Sequence, residues 1–148
     1  MTTIPDRAEA MYRGGYNCAQ AVFACCGEKF GFPRDLAIRV AQGFGGGMCM
    51  GATCGAVTGG IMAIGLKHAK KAPDDNTSKA KAHDLVVEFV QRFKDRNRSV
   101  LCNDLLGLDM GTSDGQRLAR ETGLFKKICP KMVRDAAEII DDLLSAKE

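Results

Sequence analysis

Cysteine is the residue type through which this sequence could do chemistry, and it supplies seven of them: Cys18, Cys25, Cys26, Cys49, Cys54, Cys102 and Cys129. A thiolate can attack a disulfide, ligate a soft metal or hold an iron-sulfur cluster. No Cys-x-x-Cys pair occurs, so thioredoxin-like sites, zinc ribbons and covalent haem lose their usual signature. Histidine contributes only His68, among lysines near an expected helix end, and His83, near the start of an amphipathic helix. Both are expected on the solvated surface. No Ser/His/Asp arrangement suggests a hydrolase.

The elements that must position these thiols read as helices. Pro5 to Arg13 has the length and composition of a first helix, ended by Gly14-Gly15. Asn17, with Gln20 three residues on, is a relaxed capping box for a second helix, in which Ala19, Val22, Phe23, Cys26 and Phe30 recur at helical spacing until Gly31. Pro33 opens a third, stopped by the glycines from Gly43 to Gly47. Thr53 is the expected cap of a fourth, running through Ile61 and Leu66 to a lysine-rich end. After the turn Pro73-Asp74-Asp75-Asn76, the residues Ala82, Leu85, Val86, Phe89, Val90 and Phe93 mark one clear amphipathic face. Ser99 and Ser113 are expected caps of two short helices, and Pro130 opens a last one bearing Val133, Ala136, Ala137, Ile140 and Leu144. Period-two alternation is absent and β-branched residues are few. The expected fold is all-α, a single domain over residues 1–148 with about six to eight helices.

On that register Cys18, Cys54, Cys102 and Cys129 each fall at a helix cap or in a first turn, where free backbone N–H groups favour a thiolate. Such a thiol suits nucleophilic attack and metal ligation alike. Cys26 shares a face with Val22, Phe23 and Phe30 and is expected in the core. Cys25 lies two turns after Cys18 and could line the same pocket. Cys49 forms Cys-x4-Cys with Cys54 and is a reserve candidate. Gly47, Gly51, Gly55 and Gly59 are spaced by four, so a helix through them would present a bare stripe for a packed helix or an inorganic cofactor. No strand and no clean G-x-G-x-x-G accompany them, which sets nucleotide binding aside.

Composition removes other classes. A net charge of +3, spread through the chain, gives no reason to expect nucleic acid as a partner. The N-terminus lacks the apolar core of a secretory signal, and the least polar stretch, Cys49 to Leu66, holds five glycines and is too short for a bilayer. The expectation is a cytoplasmic protein with no membrane span.

Cys54-Gly55-Ala56-Val57-Thr58-Gly59, preceded by Asn17-Cys18-Ala19-Gln20-Ala21 and followed by isolated Cys102 and Cys129, resembles the C-GCAxxG-C-C family of redox-active proteins. The resemblance spans nearly the whole chain, although the label writes Gly-Cys-Ala where this sequence has Cys-Gly-Ala. It implies a prokaryotic redox protein whose four defining cysteines are Cys18, Cys54, Cys102 and Cys129. Three uses stay open. The four thiolates could ligate an iron-sulfur cluster admitted by the glycine tract and pass electrons to an oxidoreductase partner. They could form reversible disulfides, with Cys18 or Cys54 as the attacking thiol. They could hold a structural zinc. A glycine-faced helical domain of this size could also form a homodimer.

Overall fold

A computed structural model describes residues 2–145, and among these there is no strand. Nine α-helices appear: α1 (Ile4–Arg13), α2 (Cys18–Glu28), α3 (Arg34–Val40), α4 (Gly55–His68), α5 (Asn76–Asn97), α6 (Cys102–Leu106), α7 (Ser113–Glu121), α8 (Leu124–Lys127) and α9 (Cys129–Ser145). The all-α expectation holds, while the count exceeds six to eight because the four-residue α8 is too short to show a period. Among the described residues no helix is long and apolar enough to cross a membrane.

Local chemistry explains most boundaries. Thr3 and Asp6 close a capping box at the start of α1, and Asn17 and Gln20 close another at α2, with reciprocal bonds of 2.9 Å. Both boxes satisfy orphan amides that would otherwise face solvent. The α7 cap is Thr112 rather than Ser113, and at α6 Ser99 accepts from the amide of Leu101 instead of capping the helix directly.

Two buried helices, α2 and α4, cross at the centre. From Ala19 to Gly27 every residue of α2 is buried, so this helix carries no polar face. A β-carbon on Gly59 would stand 2.8 Å from the carbonyl oxygen of Ala19 and 3.3 Å from the amide nitrogen of Phe23. One on Gly55 would meet the Ala19 nitrogen at 2.9 Å and the Cys18 β-carbon at 3.2 Å. The two glycines therefore let the backbones of α2 and α4 touch. Around this pair pack α1, α3, α5 and α9, with Phe89 and Phe93 of α5 fully buried. Arg134 ties α9 to α1, donating from Nη2 to Asp6 at 2.6 Å and from Nε to Glu9 at 2.8 Å.

The glycine stripe is corrected in its first half. Gly47 and Gly51 lie outside any regular helix: Gly46, Gly47, Met48 and Cys49 form a turn with φ of 63°, 64°, 60° and 62°. Left-handed backbone costs roughly 1–2 kcal/mol per non-glycine residue, a load borne by Met48 and Cys49. Gly51 packs directly against the side chain of Asn103. The turn delivers the chain into an isolated antiparallel bridge between Thr53 and Leu101. On either side of it, Cys54 N–H donates to Val100 C=O and Cys102 N–H to Ala52 C=O, both at 2.7 Å. Thr53 is thus extended backbone, and Cys54 itself becomes the N-cap of α4.

Candidate active site

Cys18 opens α2, Cys54 caps α4, Cys102 opens α6 and Cys129 opens α9, and all four line one cavity of about 590 Å³. The cavity sits at the seam between two apolar clusters. The larger is built on α1, α2, α4, α5 and α9; the smaller comprises Cys102, Leu106, Met110, Ala119 and Cys129. Tyr12, Cys18 and Ile128 pack against both. Each thiol is placed by different means. Cys18 is fixed by the capping box at Asn17 and by Gly55 beneath it. Cys54 and Cys102 are tied by the backbone bridge, and Cys129 by the α8–α9 junction.

The sulfurs interact. The Cys18 thiol is hydrogen-bonded to Cys129 and to Cys54, which raises its pKa well above the ordinary thiol value, because ionising it would gather negative charge among three sulfurs. The same bonds work in reverse on the neighbours. Cys54 is lowered, chiefly by the bond from Cys18; although no closed side-chain cap forms, the Ala56 and Val57 amides at the start of α4 also favour its thiolate. Cys129 is lowered to about 7 by Cys18 first and then by the Tyr12 hydroxyl. Cys102 is pushed up to about 12 by burial and by the charges of Cys54 and Cys129. Helix-start position alone therefore does not lower a thiol here. Only the two cysteines bonded to Cys18 gain acidity.

Tyr12 had no signal in the sequence, being one aromatic on an ordinary amphipathic helix. Its hydroxyl lies between the Cys129 sulfur and the Phe125 carbonyl, to which it donates at 2.9 Å. Such a hydroxyl can turn its proton toward a Cys129 thiolate and orient that sulfur.

The remaining cysteines lie elsewhere. Cys25 does not share the pocket of Cys18: seven helical residues carry it about 10 Å along the axis, where it is buried with its Sγ 3.4 Å from the sulfur of Met11. Cys26 is a core residue, as its face predicted, with its thiol pushed up by burial. Cys49 is exposed on the left-handed turn. Of the four spaced glycines, Gly55 lines the cavity while Gly47, Gly51 and Gly59 do not. His83 is exposed, but His68 is buried, at 8% exposure, against the surface position expected of it. The cause is α4 itself, which is enclosed on most sides up to its last turn.

Among the described residues no group of three or more His, Cys, Asp or Glu side chains is arranged to hold a metal ion. All seven cysteines are free thiols. In this conformation the four cavity cysteines share a space without forming a ligand cage.

Residues 16–143 match the family described as "Putative redox-active protein (C_GCAxxG_C_C)", and the chain belongs to it. The match covers all four cavity cysteines. No curated protein and no solved structure matches the chain significantly.

Proposed function

We propose, with membership of that redox family as the premise, that the protein performs thiol-disulfide redox chemistry, with Cys129 as the attacking thiolate and Cys18 as the resolving thiol. The observation that carries this is that Cys18, Cys54 and Cys129 line one cavity, near enough for Cys129 and Cys54 to raise the pKa of the Cys18 thiol. Sulfurs held in one cavity need less motion to bond than sulfurs that must first meet by diffusion.

The Cys129 thiolate attacks one sulfur of a substrate disulfide, forming a mixed disulfide and expelling the other sulfur as a thiolate. Cys18 then attacks Cys129 Sγ, its proton passing to the departing substrate sulfur, which leaves as a thiol and leaves behind a Cys18–Cys129 disulfide. Two electrons have passed from the protein to the substrate, and a dithiol reductant restores the site. A thiol with a pKa of about 7 suits the first attack, since the best attacking thiol titrates near ambient pH.

A second reading has one observation in its favour: Cys102 is a fourth thiol in the same cavity that a disulfide pair does not need. Four converging thiols are also what an iron-sulfur cluster or zinc requires, given a rearrangement that turns them inward, and a cluster would serve electron transfer to an oxidoreductase partner.

One preparation separates the two. Protein purified without oxygen is assayed for iron, acid-labile sulfide and zinc, then oxidised with diamide and mapped for cross-linked peptides. A Cys18–Cys129 cross-link in metal-free protein supports the disulfide mechanism. Stoichiometric iron with sulfide, or zinc, lost together in Cys54→Ser, would overturn it in favour of ligation.

A further inference from the structure

The cavity that holds the thiols also carries information about what reaches them. Cys54, Cys102 and Cys129 are 4%, 8% and 8% exposed, so a disulfide on the surface of a folded protein cannot touch them without being extruded into the recess. A volume of about 590 Å³ falls within the range that takes small organic molecules. Its walls are apolar, from Leu105, Leu106, Phe125, Ile128 and Met132, and among the described residues no aspartate or glutamate lines it. The charges it does present are both positive, Arg13 and Lys126. Arg13 shares its charge with Glu9 at 2.8 Å, whereas Lys126 has no ion-pair partner among the described residues.

We infer that the cavity takes a low-molecular-weight disulfide bearing a carboxylate, held with its sulfurs over the four thiols and its anionic end at Lys126, assisted by Arg13. This rests on the thiol-disulfide reading above and adds the substrate class. An anion entering an acid-free recess meets no repulsion except from the thiolates on its floor, and its apolar part replaces water against the leucines and phenylalanine. A cationic disulfide gains nothing at the mouth and meets Lys126 head-on.

The test uses three disulfides of similar size: dithiodiglycolate, which is anionic, hydroxyethyl disulfide, which is neutral, and cystamine, which is cationic. The rate at which each oxidises the reduced protein is divided by its rate with free mercaptoethanol, to remove intrinsic reactivity. The expected order is anionic over neutral over cationic, by about two- to five-fold at each step, the worth of a single exposed ion pair. The order narrows at high salt. In Arg13→Gln/Lys126→Gln the preference for the anion is lost. Equal normalised rates, or cystamine fastest, would overturn the substrate class while leaving the thiol mechanism standing. If no disulfide reacts, the mechanism fails and the cavity is judged by binding alone. Dithiodiglycolate is then titrated into Cys18→Ser/Cys129→Ser and followed by amide NMR. Saturable shifts at Phe125 and Lys126 support the anion site, and their absence overturns it.

Discussion

Replacing Gly59 by alanine should destabilise the protein, although the same change at Gly65, further along the same helix, should stabilise it. In an isolated helix either Gly→Ala substitution gains about 1 kcal/mol from propensity, so that term cancels when the two variants are compared. What differs is the space around the new methyl. At Gly65 nothing lies within 4 Å, whereas at Gly59 the β-carbon would stand 2.8 Å from Ala19 O and 3.2 Å from Ala19 Cα. These are backbone atoms of a fully buried helix and cannot rotate away. Overpacking of this kind costs roughly 1–3 kcal/mol, and rigid obstacles put it in the upper half. The net expectation is a loss of about 1–2 kcal/mol for Gly59→Ala against a gain of about 1 kcal/mol for Gly65→Ala. For a chain of this size that corresponds to melting temperatures about 3–6 °C below and about 2–4 °C above wild type. Thermal unfolding followed by circular dichroism measures both. Relief of the clash would also lift the first turn of α2 from α4, so diamide should form the Cys18–Cys129 cross-link more slowly in Gly59→Ala. A Gly59→Ala protein that melts at or above the wild-type temperature would refute the account of close backbone approach.

Tyr12→Phe removes the hydroxyl that helps hold Cys129 near pH 7, so the midpoint for alkylation of Cys129, followed by peptide mapping, should rise by about one unit, a modest hydrogen bond to a charged group; an unmoved midpoint would leave Tyr12 without a role at the sulfur. Asp6 is held at about 2 by its hydrogen bond from Arg134, below an unfolded value of about 3.9. Its contribution to stability is therefore present above about pH 4 and fades as pH falls through about 2. Melting temperatures of wild type and Arg134→Gln should accordingly be separated at neutral pH and converge in acid, and a gap independent of pH would contradict the linkage.

What the sequence disclosed was what neighbours in sequence decide. The Asn17-Gln20 capping box, the amphipathic face of α5 and the core position of Cys26 each depend on residues within a few turns of one another, and each stands as read. Distant contacts were hidden. Thr53 has the side chain of a helix cap, but pairing with Leu101 draws it into extended backbone and gives the cap to Cys54. His68 sits beside lysine and still goes under, since burial of α4 is set by the helices around it. That four cysteines share a cavity could be suspected from their place at helix starts; that Cys18 would be the least acidic of the bonded trio could not, since its proton is retained by two sulfurs arriving from residues 54 and 129. Tyr12 meets Cys129 because α1 packs along α9, a contact that Arg134 reinforces.

The two hydrogen bonds that flank the Thr53–Leu101 bridge make a neck in the chain. Everything between them, α4, α5 and their exposed connection, is one closed excursion that leaves the cavity and returns to it. The span from Cys54 to Cys102 is thereby set at the neck and not by the length of what hangs from it. Closing a longer loop costs only slowly more entropy, so residues could be added at the 69–74 connection while the two thiols keep their separation. Relatives of very different length could share the same constellation, and a spacing count between these cysteines would be a poor guide to whether a sequence has it.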